Sequence, residues 1–207
     1  MKKIIYTIII AGMLTSCSYQ GYQGFYNIDL LEVERPENSK EHYGESEIVN
    51  FKEEGETKYS YEDDMIKIVW LQLSTQFGFT LENKTDHSIK IIWDEAVYVD
   101  QNGSCSGVMH SGIGYANRGK SQLSSVIMKN TNIDDVIVPT DNIYLSKVRG
   151  WEVKPMFPNK ASTKKELNTL VNYYVGKEVK VLLPLKIQET INEYVFTFSA
   201  EDFRYEL

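Results

Sequence analysis

Cysteine is almost missing from this chain of 207 residues, which has Cys17 and Cys105 and no other. A disulfide framework is therefore excluded, and no CxxC spacing can be written. Histidine is as scarce: His42, His87 and His110 are scattered, no HxxxH spacing occurs, and no zinc-ligand pattern emerges. No glycine-rich loop matches a phosphate cradle. Basic residues are also short, with 22 Lys and Arg against 29 Asp and Glu and a net charge of -7. That balance argues against nucleic acid and against electrostatic adhesion to anionic lipid. No cofactor is implied by any of these patterns.

The first apolar run is too short to span a membrane. Met1, Lys2 and Lys3 precede Ile4 to Leu14, which is apolar apart from Tyr6, Thr7 and Gly12. A spanning helix needs about 20 apolar residues, so the run reads as the hydrophobic region of a signal peptide. It ends in Leu14-Thr15-Ser16-Cys17, which resembles the lipobox of bacterial lipoproteins. The resemblance implies that residues 1–16 are removed and that Cys17 is lipidated, becoming the mature N-terminus. Without Lys2 and Lys3 the balance is 20 basic against 29 acidic side chains, a net -9, so the membrane link is expected to be the covalent lipid. Cys105 is then the only free thiol; burial is the common state of such a residue, although "NGSCSG" is a polar setting.

After the cysteine, Tyr19-Gln20-Gly21 repeats as Tyr22-Gln23-Gly24 with no apolar period. Residues 17–27 are read as the lipidated cysteine and a flexible tether, and Ser18 to Asn27 would extend to at most about 35 Å. "SYQG" resembles neither the aspartate signal for inner-membrane retention nor an acidic export signal. An outer-membrane anchor facing the periplasm is the resulting expectation.

Residues 28–207 make one domain's worth of chain, long enough to bury a core without staples. Its signal is mainly β. "IDLLEV" at Ile28 to Val33 is a candidate first strand and "ERPENSKEHYGES" a long loop. "EEGETKYSYEDD", residues 53 to 64, has six acids and one lysine and reads as a solvated loop, since it lacks the spacing of a calcium loop. Met65 to Leu73 and Gln76 to Asn83 are rich in β-branched and aromatic residues. The turn chemistry of "NKTD" predicts a hairpin between the second of these and the run from Ser88 to Asp100, and Asp94-Glu95 predicts that this long run is divided in two. Asn102-Gly103 marks a turn, and "LSSVIMK", "IDDVIVP" and "NIYLSKV" continue the strand pattern.

One helix is predicted after Thr163, where Glu166 completes a capping box, Leu167, Leu170, Val171 and Tyr174 share a face, and Gly176 can end it. "EVKVLLPLKIQ" and "NEYVFTFSAEDF" form a closing strand pair, with Pro184 predicting an edge or a bulge. Tyr194, Phe196 and Phe198 alternate onto one face as core. Together with the lipobox, the segments "FTLENKTDHSIKIIWDEAVYVDQNGS", "MHSGIGY", "DDVIVP" and "VKVLLPLKIQETINEYVFTFS" resemble a set of bacterial lipoproteins with an immunoglobulin-like β-sandwich. The resemblance spans Gln76 to Ser199 and rests on Phe79, Leu81, Asn83, Ile91, Ile92, Trp93 and Asp94. It implies an immunoglobulin-like β-sandwich with one α-helix before the final strand pair, and no activity.

Catalytic patterns are thin. Cys105, His110 and Asp100 are the residue types of a thiol protease, but no family-like signature surrounds the cysteine. Asp94 and Glu95 are adjacent, and neighbours on a strand face opposite ways, so they cannot flank one bond. Residues 103–120 hold five glycines and no acid in an acidic chain. Their His110, Tyr115, Asn117, Arg118 and Lys120 are the candidate binding residues, of the kinds enriched at interfaces. The expectation is a non-catalytic envelope binding or assembly module, with envelope proteins or glycans as partners; an envelope hydrolase or a fibre subunit with an open edge strand is the alternative.

Overall fold

The computed structural model describes residues 21–36 and 43–206; the expected signal peptide (residues 1–16), Cys17 and part of the segment before the second strand lie outside these. The chain is mainly β. The N-terminal half supplies β1 (Tyr22–Glu34), β2 (Glu47–Glu53), β3 (Glu56–Glu62), β4 (Ile66–Gln72), β5 (Phe77–Asn83), β6 (Ile89–Ile91) and β7 (Val97–Val99). There follow β8 (Cys105–Met109), β9 (Ser125–Ile127), β10 (Asn132–Pro139), β11 (Ile143–Ser146), β12 (Gly150–Val153) and β13 (Lys160–Ala161). Helix α1 (Lys164–Tyr174) precedes the long closing strands β14 (Glu178–Ile187) and β15 (Thr190–Tyr205).

One antiparallel sheet runs β13-β1-β15-β14-β7-β8-β10-β5-β4-β3-β2, and β11 with β12 forms a separate hairpin. The long sheet curls until its two halves face each other, a sandwich-like arrangement. β8 makes the passage: Cys105 to Gly107 pair with β7, whereas Val108 and Met109 pair with β10. Period-two alternation sets the core. Ile66, Ile68 and Trp70 of β4, and Phe77, Phe79 and Leu81 of β5, are buried on one half, and Tyr194, Phe196 and Phe198 of β15 on the other. The Trp70 ring meets those of Phe196 and Phe198 at 4.9 and 5.4 Å. Each such buried side chain contributes about 1.5–3 kcal/mol of transfer free energy.

Helix α1 begins as its sequence requires. The Thr163 hydroxyl accepts from the Glu166 N–H, and the Glu166 carboxylate accepts from the Thr163 N–H, both at 3.2 Å. Leu167 is its fully buried residue, and Gly176 follows with φ +80°. The run from Ser88 to Asp100 divides into β6 and β7 around a 3-10 turn at Trp93–Glu95, so Asp94 and Glu95 lie on that turn rather than on a strand.

Several expectations are corrected. Tyr22 to Asn27 are not tether: they open β1, paired with β13 and β15. The acidic stretch 53–64 is not a solvated loop but a turn and then β3, whose Tyr59, Ser60 and Tyr61 are buried, with Asp63 buried just beyond. Tyr59 and Tyr61 are two residues apart and so share one face, while the small Ser60 between them is buried on the other. β5 and β6 make no hairpin. β5 pairs with β4 and β10, and the "NKTD" turn instead carries the chain between sheet halves. Buried Asn83 replaces the missing ladder there: its amide donates to the carbonyls of His87, Ile127 and Met128, and its oxygen accepts from the Thr85 N–H and hydroxyl. Pro184 lies inside the sheet rather than at its edge. Its carbonyl accepts from the Ile92 N–H, so its nitrogen faces the gap between β6 and β7, where no ladder donor is needed.

Candidate functional site

A cleft of about 670 Å³ opens at the end of the sandwich where β1 begins. It opens where β3 and β4 part. Pairing of β3 with β4 ends at Tyr59 and Trp70, while Glu56 and Thr57 continue beside β2 alone. Opposite this opening lies β1, and its consecutive residues Phe25 to Asp29 line the cleft.

The outer edge of β1 is covered only at its start. Tyr22 and Gln23 pair with β13, and Gly24 exchanges hydrogen bonds with Asn159, its N–H donating to the Asn159 carbonyl at 3.2 Å and its carbonyl accepting from the Asn159 amide at 2.9 Å. A glycine is needed there, because a Cβ would meet the Arg204 carbonyl at 2.2 Å and the Phe203 ring at 2.5 Å. From Phe25 onward that edge has no strand partner among the described residues. It is a row of backbone donors and acceptors turned towards a cleft.

Aromatic and acidic groups share the walls. Phe25, Tyr26, Tyr59 and Phe157 line the cleft, and so do Asp29, Glu56, Glu201 and Asp202 against Arg204, four carboxylates to one guanidinium. Asp29 accepts from the Tyr59 hydroxyl, and Asp202 accepts from the Asn27 amide. None of the four carboxylates has a Lys, Arg or His nitrogen within 4.0 Å among the described residues. Their field is felt at Tyr59. Burial first, then its bond to Asp29, then the charges of Asp29, Glu201 and Asp202, push that phenol well above its ordinary range. Burial and the charges of Tyr174 and Tyr205 push Tyr26 up to about 12. Both are neutral donors at physiological pH. In addition, the Gln72 amide nitrogen in this wall is buried and has no hydrogen-bond partner among the described residues.

The glycine-rich stretch lies elsewhere and is more structured than its composition indicates. His110 stacks on Trp93, with ring centroids 4.4 Å apart and planes 1° from parallel, and its Nδ1 is 3.1 Å from Asp135. Asp135 also accepts from the Ser111 N–H at 2.8 Å, so the imidazole is clamped on two sides. Tyr115 is half-buried against a small cluster of Met109, Val138 and Ile143. The Arg118 guanidinium sits 5.0 Å over the Trp151 ring of the β11–β12 hairpin. Asn117 and Lys120 are exposed.

Cys105 is exposed, contrary to the usual state of a lone thiol. It lies five residues before His110, a separation of about 16 Å on an extended strand. His110 is held by Asp135, while Asp100 caps its own turn by accepting from the Asn102 and Ser104 N–H groups, so these three do not form a triad. Asp94 accepts from the Ser121 hydroxyl and the Gln122 N–H, which together hold its carboxyl below the usual range. Among the described residues no three His, Cys, Asp or Glu are grouped to hold a metal ion, and no helix is long and apolar enough to cross a membrane.

Sequence reasoning missed the cleft. Its residues come from β1, β3, the end of β4 and the end of β15, and no local motif joins them. The available signal was the acid-rich "EDF" near the C-terminus beside the aromatic "GFYNID" near the start, which only strand pairing brings together. No protein-family model, curated protein or solved structure matches this chain.

Proposed function

We propose that this chain is a lipid-anchored, immunoglobulin-like β-sandwich of the bacterial outer membrane that serves as a non-catalytic binding module, taking an extended peptide strand of an envelope protein into the β1 cleft. The observation that carries the reading is the edge of β1 from Phe25 onward, unpaired among the described residues and facing a cleft of about 670 Å³. A peptide adding to that edge gains main-chain hydrogen bonds for affinity, and alternate side chains reach the walls for specificity. Four carboxylates without a paired cation among the described residues favour lysine or arginine at those positions, and Phe25 and Tyr59 add aromatic surface to the same walls.

The test uses two labelled octapeptides, one alternating valine with lysine and the other valine with glutamate, titrated by fluorescence anisotropy. The lysine peptide binds, binding weakens with salt, and Asp29→Asn with Asp202→Asn together weaken it by about tenfold, the order of 1.4 kcal/mol. Hydrogen exchange then slows at the amides of Phe25 to Asp29. Equal affinity for both peptides, or binding that leaves those amides unprotected, refutes the assignment.

A further inference from the structure

We infer that the end of the domain where β1 begins seats directly on the bilayer, through Tyr22, Phe25 and Tyr205. The inference rests on the lipidation of Cys17 proposed above, and it concerns how the anchored domain is oriented.

Chain length makes the argument. β1 starts at Tyr22, five residue steps from Cys17. Five steps span at most about 18 Å even when fully extended. The acyl chains begin at the hydrocarbon boundary, and the headgroup layer above it is about 5–8 Å deep. Roughly 10 Å of reach is then left above the headgroups. A folded domain on so short a leash has its near end at the membrane surface.

That near end is built for an interface. Tyr22, Phe25 and Tyr205 are 48%, 51% and 45% exposed, large values for aromatic side chains. Gly24 pairs with Tyr205 and Phe25 with Arg204, so the Phe25 and Tyr205 side chains lie on successive rows and on opposite faces of the strand pair. Tyr22 is three residues nearer the anchor, about 10 Å along the strand. Aromatics at one depth on both faces form a segment of belt, the placement that tyrosine and other aromatic rings take at the headgroup level. Two cations lie at this end, Arg204 in register with Phe25 and Lys160 in register with Gln23, about 7 Å nearer the anchor, where headgroup phosphates would meet them. Acids lie at this end too: Glu206 accepts from the Gln23 amide, and Asp202, in register with Asn27, accepts from the Asn27 amide, with Glu201 and Glu56 in the cleft wall.

The opposite end bears an internal control. Cys105 pairs with Val99, Val99 with Lys180, Lys180 with Thr197 and Thr197 with Glu32, so the exposed thiol lies level with Glu32. That is seven residues beyond Phe25, about 23 Å farther from the anchor. Phe25 also lines one end of the cleft, so a docked domain holds its cleft running from the membrane surface outward along β1.

The experiment uses the full chain, lipidated in a bacterial host and reconstituted into phosphatidylcholine and phosphatidylethanolamine vesicles containing a nitroxide-labelled lipid. A bimane label is attached either to native Cys105 or to Phe25→Cys in a Cys105→Ser background, and circular dichroism checks that each protein is folded. The label at position 25 loses most of its emission to the lipid-borne quencher, whereas the label at Cys105 keeps its own. Adding Tyr22→Ser and Tyr205→Ser brings position 25 to the level of Cys105. Equal emission from the two positions, in protein that stays on the vesicles through a carbonate wash, overturns the docking and leaves the anchor standing. Removal by the wash, as for Cys17→Ala, overturns the anchor and the docking together.

Discussion

Asp63→Ala is the substitution that most directly tests how this core is held. The Asp63 side chain is fully buried, and its carboxylate accepts from four donors: the N–H groups of Met65 and Ile66 at 2.8 and 2.9 Å, and the hydroxyls of Tyr61 and Tyr194 at 2.9 and 3.1 Å. Arg35 stands 3.8 Å away. Tyr61 belongs to β3 and Tyr194 to β15, so this acid ties together the two facing halves of the sheet. Alanine leaves all four donors without an acceptor, and a buried donor left unmade costs about 1–3 kcal/mol. The expected loss is about 4 kcal/mol or more, a large share of the 5–15 kcal/mol typical of a domain. Asp63→Asn keeps one acceptor and should lose about half as much. Urea unfolding followed by tryptophan emission reads these values. Tyr194→Phe should cost less in the Asp63→Ala background than in the wild type, because its acceptor is already gone. An alanine variant within about 1 kcal/mol of the wild type, with an unchanged denaturant slope, refutes the reasoning.

Buried phenols give the fold an alkaline limit. Burial, and then the charge of Asp63 or Asp100, hold Tyr61, Tyr194 and Tyr98 above their ordinary value of 10.0. An acid whose pKa rises on folding loses its proton more readily when unfolded, so this stability is fully present below that value and fades as pH climbs towards the folded ones. Three such groups remove about 4 kcal/mol per pH unit above 10, and a melting temperature that stays flat across that point contradicts the assignment. Tyr115→Ala with Arg118→Ala removes a half-buried ring and a stacked guanidinium, together about 2.5 kcal/mol, and lowers Tm by about 5–10 °C in circular dichroism melts. Cys17→Ala releases the protein from membranes into the soluble or unprocessed fraction, since each buried acyl methylene contributes about 0.8 kcal/mol; equal membrane recovery of mutant and wild type after a carbonate wash contradicts it.

Local chemistry carried what was legible in the sequence. The capping box at Thr163 and Glu166 sets where α1 begins because both hydrogen bonds close within four residues. The alternation of Tyr194, Phe196 and Phe198 names a buried face because strand side chains point opposite ways in turn. Asp94 and Glu95 interrupt a long apolar run, and the strand breaks there. What tertiary structure decided is which segments meet. "NKTD" has turn chemistry whether it closes a hairpin or crosses between sheet halves, and only the burial of Asn83 beneath the carbonyls of Ile127 and Met128 separates the two outcomes. Pro184 is tolerated inside the sheet because a 3-10 turn 90 residues earlier in the chain leaves a gap opposite it. The cleft is the extreme case. Phe25 and Arg204 are at opposite ends of the chain, yet they pair in register, and the outer edge of β1 is open because β13 pairs only with Tyr22 and Gln23. Hydrogen-bond pairing between distant strands is set by the free energy of the whole core, and no short stretch of residues contains that information.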